Sequence, residues 1–129
     1  MAFGPHHVVI VDDDPSHRRA LGRLLKSAGM VVDTYEEGRQ FFASLALKIP
    51  HCLILDFQMP GLNGLDVLRH LGQRSIRIPA IIVTAHDTKG IREDCLSAGA
   101  IAFLCKPVDA NHLIQTIRRS GSPGVAFEH

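Results

Sequence analysis

Leu53-Ile-Leu-Asp-Phe-Gln-Met-Pro-Gly-Leu-Asn-Gly64 carries an apolar run into a single carboxylate and then into a turn. With Cys52 the run has no polar alternation, which is how a strand buried on both faces reads. Burying an unpaired charge is costly, so Asp56 must reach water at the strand end or meet a cation. Pro60 and Gly61 turn the chain immediately afterwards. A covered strand that ends in a lone acid therefore belongs to a parallel sheet with chemistry at its edge.

The same kind of run recurs on both sides, at His7–Val11, Met30–Val32, Ala80–Val83 and Ile101–Leu104. Between the runs lie stretches of helical period. Asp14 is an N-cap and Pro15 suits the first helical position, followed by Leu21, Leu24, Leu25 and Ala28 and a stop at Gly29. Phe41, Phe42 and Leu45 mark a second helix, and Leu65, Leu68 and Leu71 a third. Ile91, Cys95 and Ala98, stopped by Gly99, mark a fourth, weakened by Gly90 near its start. Leu113, Ile114 and Ile117 make a fifth. Five strand–helix units in succession predict a doubly wound α/β fold, a five-stranded parallel sheet of order 2-1-3-4-5. Residues 1–119 form the domain, and 120–129, with Gly-Ser-Pro-Gly, read as a flexible tail or linker stub.

Bulk composition agrees with one domain. The chain has 129 residues, 46% of them apolar and 21% charged, with 14 basic and 13 acidic side chains giving a formal charge of +1. The basic residues are scattered in sequence, so no nucleic-acid footprint is expected. No run reaches membrane-spanning length and no signal peptide opens the chain, so a cytoplasmic location is expected. Three cysteines without CxxC spacing are expected as buried reduced thiols, Cys52 and Cys105 lying in or beside apolar runs. The eight histidines show no metal-ligand spacing and are expected as structural or surface residues.

The residues just past the strands carry the function. The first strand ends in Asp12-Asp13, the third in Asp56, the fourth in Thr84 and the fifth in Cys105-Lys106-Pro107. Open α/β sheets bind ligands beyond the carboxyl ends of their strands. Each residue alone has an ordinary explanation: a cap, a turn, a good β-former, an exposed loop lysine. Delivered together to one edge, they make a site. Crowded carboxylates invite a divalent cation, and Mg2+ takes one or two of them, keeps several waters and accepts phosphate oxygens. With Lys106 opposite, a phosphoryl group is held from two sides. A carboxylate is itself a competent phosphoryl acceptor, which assigns that role to Asp56.

These motifs, Val-Asp-Asp (11–13), Leu-Asp-Phe-Gln-Met-Pro-Gly-Leu-Asn-Gly (55–64), Val-Thr-Ala (83–85), Ala-Gly-Ala (98–100) and Lys-Pro (106–107), stand in one order over His7 to Arg119. The chain resembles the receiver domains of response regulators, of the flavodoxin/CheY-like fold, and its Thr-Ala-His (84–86) resembles the FixJ-type branch. The resemblance implies a two-component signalling domain that catalyses only its own phosphorylation and dephosphorylation. Asp56 would take the phosphoryl group from a sensor histidine kinase or phosphotransfer protein. Asp13 and Asp56 would bind Mg2+ with the backbone carbonyl of Gln58, and Asp12 would act through water. Thr84 would bond the phosphoryl group, Lys106 would pair with its charge, and Lys106-Pro107 would be a cis peptide. Phe103 would switch rotamer and alter a surface on the fourth helix, fifth strand and fifth helix. That surface would serve a phosphorylation-dependent homodimer or an effector domain. Phosphatases of the haloacid dehalogenase type also use a strand-end aspartate, but they need a second Asp where this chain has Gln58. A pseudo-receiver that binds partners without phosphorylation would not need the complete pocket found here.

Overall fold

A computed structural model describes residues 6–86, 88–120 and 124–125. In chain order the elements are β1 (His7–Val11), α1 (Pro15–Ser27), β2 (Val31–Tyr35), α2 (Gly38–Ser44), β3 (Cys52–Asp56) and α3 (Gly64–Gln73). Next come β4 (Ile76–Arg77), β5 (Ala80–Thr84), α4 (Lys89–Ser97), β6 (Ala100–Cys105), α5 (Ala110–Arg119) and β7 (Gly124–Val125). Five parallel strands form one sheet in the order β2-β1-β3-β5-β6. Counting those five strands alone, this is the order 2-1-3-4-5. The fold is the doubly wound parallel α/β architecture.

All residues of β1, β3 and β5 are buried, because helices cover both sides of the sheet centre. Successive side chains point to opposite faces. Val8, Ile10, Ile54 and Ile81 therefore pack with Leu21 and Leu25 of α1 and Leu113 and Ile117 of α5. Val9, Leu53, Leu55 and Ile82 pack on the other face with Phe41 of α2, Leu68 and Leu71 of α3 and Cys95 of α4. Each such aliphatic side chain contributes about 1.5–3 kcal/mol when fully buried.

Local chemistry starts the helices where the site needs them. The Asp14 carboxylate accepts from the Ser16 and His17 N–H groups and Pro15 opens α1, so the chain turns sharply after Asp12-Asp13. At α3, Asn63 and Asp66 form a reciprocal capping box, at 2.9 and 3.0 Å. Gly61 turns at φ 77°. Gly64 lets α3 begin directly against the end of β3: a Cβ there would stand 3.2 Å from both the Asp56 carbonyl oxygen and Phe57 Cα. Residues 53–64 are thus a strand, a turn and a close-packed helix start.

Two boundaries differ from the sequence expectation. The second strand begins at Val31 and runs on through Asp33, Thr34 and Tyr35, with Met30 buried just before it. It is an edge strand, mostly exposed, so its polar residues do not interrupt it. The short antiparallel pair β4–β7, with Ile76 opposite Val125, has no counterpart in the apolar pattern. It falls partly within 120–129; the rest of that stretch, 121–123 and 126–129, lies outside the described residues.

The cysteine expectation holds for Cys52 and Cys95, which are buried and free. It is corrected for Cys105, which is exposed because it closes the edge strand β6, beyond the helix cover. His7 is buried at the opposite end of the sheet from the acidic edge. Its ring Nε2 meets Asp33 Oδ2 at 2.7 Å, and its backbone N–H donates to His51 Nδ1 at 2.8 Å, a structural use of both histidines.

Candidate functional site

Strand register brings the singled-out residues to one edge. Val11 is paired with Leu55, Asp56 with Val83 and Thr84 with Cys105, so the residues just beyond these pairs leave the sheet side by side. The Phe57 N–H donates to the Val83 carbonyl at 2.9 Å, and the Lys106 N–H to the Thr84 carbonyl at 2.8 Å, tying the exit loops together. Asp12, Asp13 and Asp56 each place a carboxylate oxygen within 4.8 Å of the others. The Lys106 ammonium lies 3.5 Å from Asp56 Oδ1 and 3.9 Å from Asp12 Oδ2. The Lys106-Pro107 peptide bond is cis.

The two buried acids are held differently. Asp12, 2% exposed, accepts the Asp14 N–H on Oδ1 at 2.9 Å and contacts His17 Nδ1 through Oδ2. Asp56, 7% exposed, meets only the Lys106 ammonium among the described side chains. Burial first, and then the Asp12 carboxylate, push its carboxyl up to about 6, against the pull of Lys106. The pocket is short of positive charge. Its donors are all oxygens and Asp13 is exposed, so the set fits a hard divalent cation such as Mg2+. Asp13 and Asp56 would hold it, with Asp12 close enough to act through a bound water.

Thr84 is 2% exposed at the end of β5, and its hydroxyl exchanges hydrogen bonds with the backbone N–H and C=O of His86, both at 3.2 Å. Gln58 lies in the loop after β3, in an open depression with Phe57, Met59, Pro60 and Asn63. Phe103 is buried between the sheet and α4, 4% exposed, with the Arg92 guanidinium 5.6 Å from its ring centre. Two site neighbours are not apparent from the sequence: His17, and Arg18, whose Nη1 donates to the Asp12 carbonyl at 2.7 Å. Their one signal is position, in the first turn of a helix capped two residues after Asp12.

The family described as the response regulator receiver domain matches residues 8–118, from β1 into the last turn of α5. The DNA-binding transcriptional regulator NtrC of Salmonella typhimurium is 38% identical over 113 residues, which cover 88% of this chain and 24% of that protein. The transcriptional regulatory protein FixJ of Rhizobium meliloti is 32% identical over 121 residues, covering 94% of this chain and 59% of FixJ. The crystal structure of FixJ-N superimposes with a TM-score of 0.83 at 31% identity, over 91% of this chain and 94% of that one. This chain therefore spans about a quarter of NtrC and less than two thirds of FixJ. The matched span runs through all five strands of the main sheet, β1 from Val8 onward, and the whole acidic edge, and the chain belongs to the response regulator receiver domain family of two-component signalling.

Proposed function

We propose that this receiver takes a phosphoryl group onto Asp56 from the phosphohistidine of a sensor histidine kinase or phosphotransfer protein, in a reaction that requires Mg2+. The observation that carries this reading is the contrast between the two buried acids: Asp12 is held on both oxygens, while Asp56 is free apart from Lys106. One Asp56 oxygen attacks phosphorus, the phosphorus–nitrogen bond of the donor breaks, and its electron pair returns to the donor imidazole. Lys106, already 3.5 Å from Asp56 Oδ1, pairs with the incoming negative charge, and Thr84 turns its hydroxyl from His86 toward the phosphoryl oxygens. Asp13, Asp56 and the Gln58 carbonyl would hold Mg2+, with Asp12 acting through water, and the bound cation would supply positive charge to those oxygens. With a small-molecule phosphodonor and Mg2+, intact mass should show one phosphoryl group per chain, and excess chelator should abolish it. Labelling unchanged by chelator would reject the metal requirement.

The same reading assigns the output to α4, β6 and α5. Turning the Thr84 hydroxyl opens space beside β6, and Phe103 moves into it. A surface change of this kind draws only on the difference in how two states hold the phosphoryl group. Its target is a second copy of the chain or an effector domain; the domain itself contacts neither DNA nor membrane. No helix among the described residues is long and apolar enough to cross a membrane, and the reading places the phosphoryl exchange in the cytoplasm. Amide shifts with and without a phosphoryl mimic should move at Phe103 and along α5. Shifts confined to the loops at Asp12, Asp56, Thr84 and Lys106 would remove the switch.

A further inference from the structure

We propose that His17 is a positioning residue for the cation pocket, its Nδ1–H donating to Asp12 Oδ2 so that the Asp12 carboxylate is fixed before a cation arrives. The inference rests on the reading of Asp12, Asp13 and Asp56 as the Mg2+ pocket and goes beyond it to a residue outside the acidic motif.

Asp12 is 2% exposed, so each of its oxygens needs a partner. Oδ1 has one from its own loop, the Asp14 N–H at 2.9 Å. Oδ2 has the Lys106 ammonium at 3.9 Å, beyond hydrogen-bond reach, and is left to His17 Nδ1. The local chain explains why His17 can get there. Asp14 accepts the His17 backbone N–H at 3.4 Å and Pro15 starts α1, which folds the first turn back over the end of β1. Arg18 adds a bond to the Asp12 carbonyl at 2.7 Å, so Asp12 is held on its backbone as well as its side chain. His17 is mostly buried, 21% exposed, consistent with a ring lodged in the pocket wall rather than moving in solvent.

A fixed outer partner matters because a cation pocket built from repelling carboxylates gains affinity when one of them is already oriented. Removing such a partner commonly weakens metal binding by about 10–100-fold. With His17 on Asp12 Oδ2, the Lys106 ammonium stands nearer Asp56, at 3.5 Å against 3.9 Å from Asp12.

The test uses the whole chain and Mg2+ itself, with titration calorimetry as the first readout and Mg2+-dependence of phosphodonor labelling as the second. His17→Leu keeps bulk and removes the donor; it should weaken Mg2+ binding about tenfold or more, with the labelling rate at saturating Mg2+ within about threefold of wild type. His17→Asn places an amide N–H where Nδ1 stands and should restore affinity to within about threefold of wild type. If His17→Leu fails to fold, His17→Gln, whose amide is displaced by one carbon, replaces it with the same expected loss. Unchanged Mg2+ affinity in the donor-less variant overturns the proposal. So does a loss that His17→Asn does not recover, which would assign His17 to packing, and so does a wild type that binds no Mg2+. A wild type that binds Mg2+ tightly yet takes no phosphoryl group would instead reject the function proposed for Asp56 and leave the His17 result standing.

Discussion

In chelator at pH 7.5, the Asp56→Asn variant should melt above the wild type by roughly 3–8 °C, because Lys106 only partly offsets the crowded carboxylates of the acidic edge. Burial and the Asp12 carboxylate raise the Asp56 carboxyl from its ordinary 3.8 to about 6 in the folded state. A raised carboxyl binds its proton more tightly when folded. The stability it lends is complete below pH 3.8 and is lost as pH rises through about 6. Above that the ionised group costs on the order of 1–2 kcal/mol, after allowing for water screening at the pocket mouth. The asparagine variant has nothing to titrate there, so the difference between the two melting curves should open between about pH 4 and pH 7 and stay constant above. A divalent cation bound only by the folded site would stabilise it by mass action, about 2.7 kcal/mol at a hundredfold excess over its dissociation constant. It should therefore raise the wild-type midpoint well beyond that of Asp56→Asn. A pH-independent difference, or a less stable variant, would show that Asp56 is compensated by something other than Lys106.

Lys106→Met should slow phosphoryl labelling at saturating Mg2+ by about a hundredfold, the scale on which a preorganised charge partner acts in a buried site. Among the described residues Lys106 is the one Lys or Arg within 4 Å of both buried acids, at 3.5 Å from Asp56 and 3.9 Å from Asp12. It also pulls the Asp56 carboxyl downward, so its loss should move the titration midpoint of folded Asp56 above 6 and widen the pH range over which the stability difference opens. The two readouts separate roles. A shifted midpoint with an unchanged rate would make Lys106 a structural counter-ion only.

How much of this could be seen in the chain depends on where each residue sits. The central strands were legible because cover on both faces leaves no polar residue to blur them: Val8 to Val11, Leu53 to Leu55 and Ile81 to Val83 are all 2% exposed or less. At the sheet edge that logic fails. Asp33 and Thr34 look like loop yet continue β2, and Cys105 looks apolar yet faces solvent. The acidic edge was legible because each of its residues ends a strand or lies just past one, and parallel register then places them together. His17 was not, since its contact with Asp12 arises from the sharp turn set by Asp14 and Pro15, and no periodicity reports a bond across five residues. A two-residue pairing such as β4–β7 carries too few side chains to leave a pattern.

Where the phosphoryl group lands decides whether Asp56 is the acceptor. Wild type and Asp56→Asn are incubated with a small-molecule phosphodonor and Mg2+, intact masses are compared, and the labelled peptide is identified. The wild type should gain one phosphoryl group, carried by the peptide containing Asp56, and Asp56→Asn none. Full labelling of Asp56→Asn, or a label on any other peptide of the wild type, would contradict that assignment.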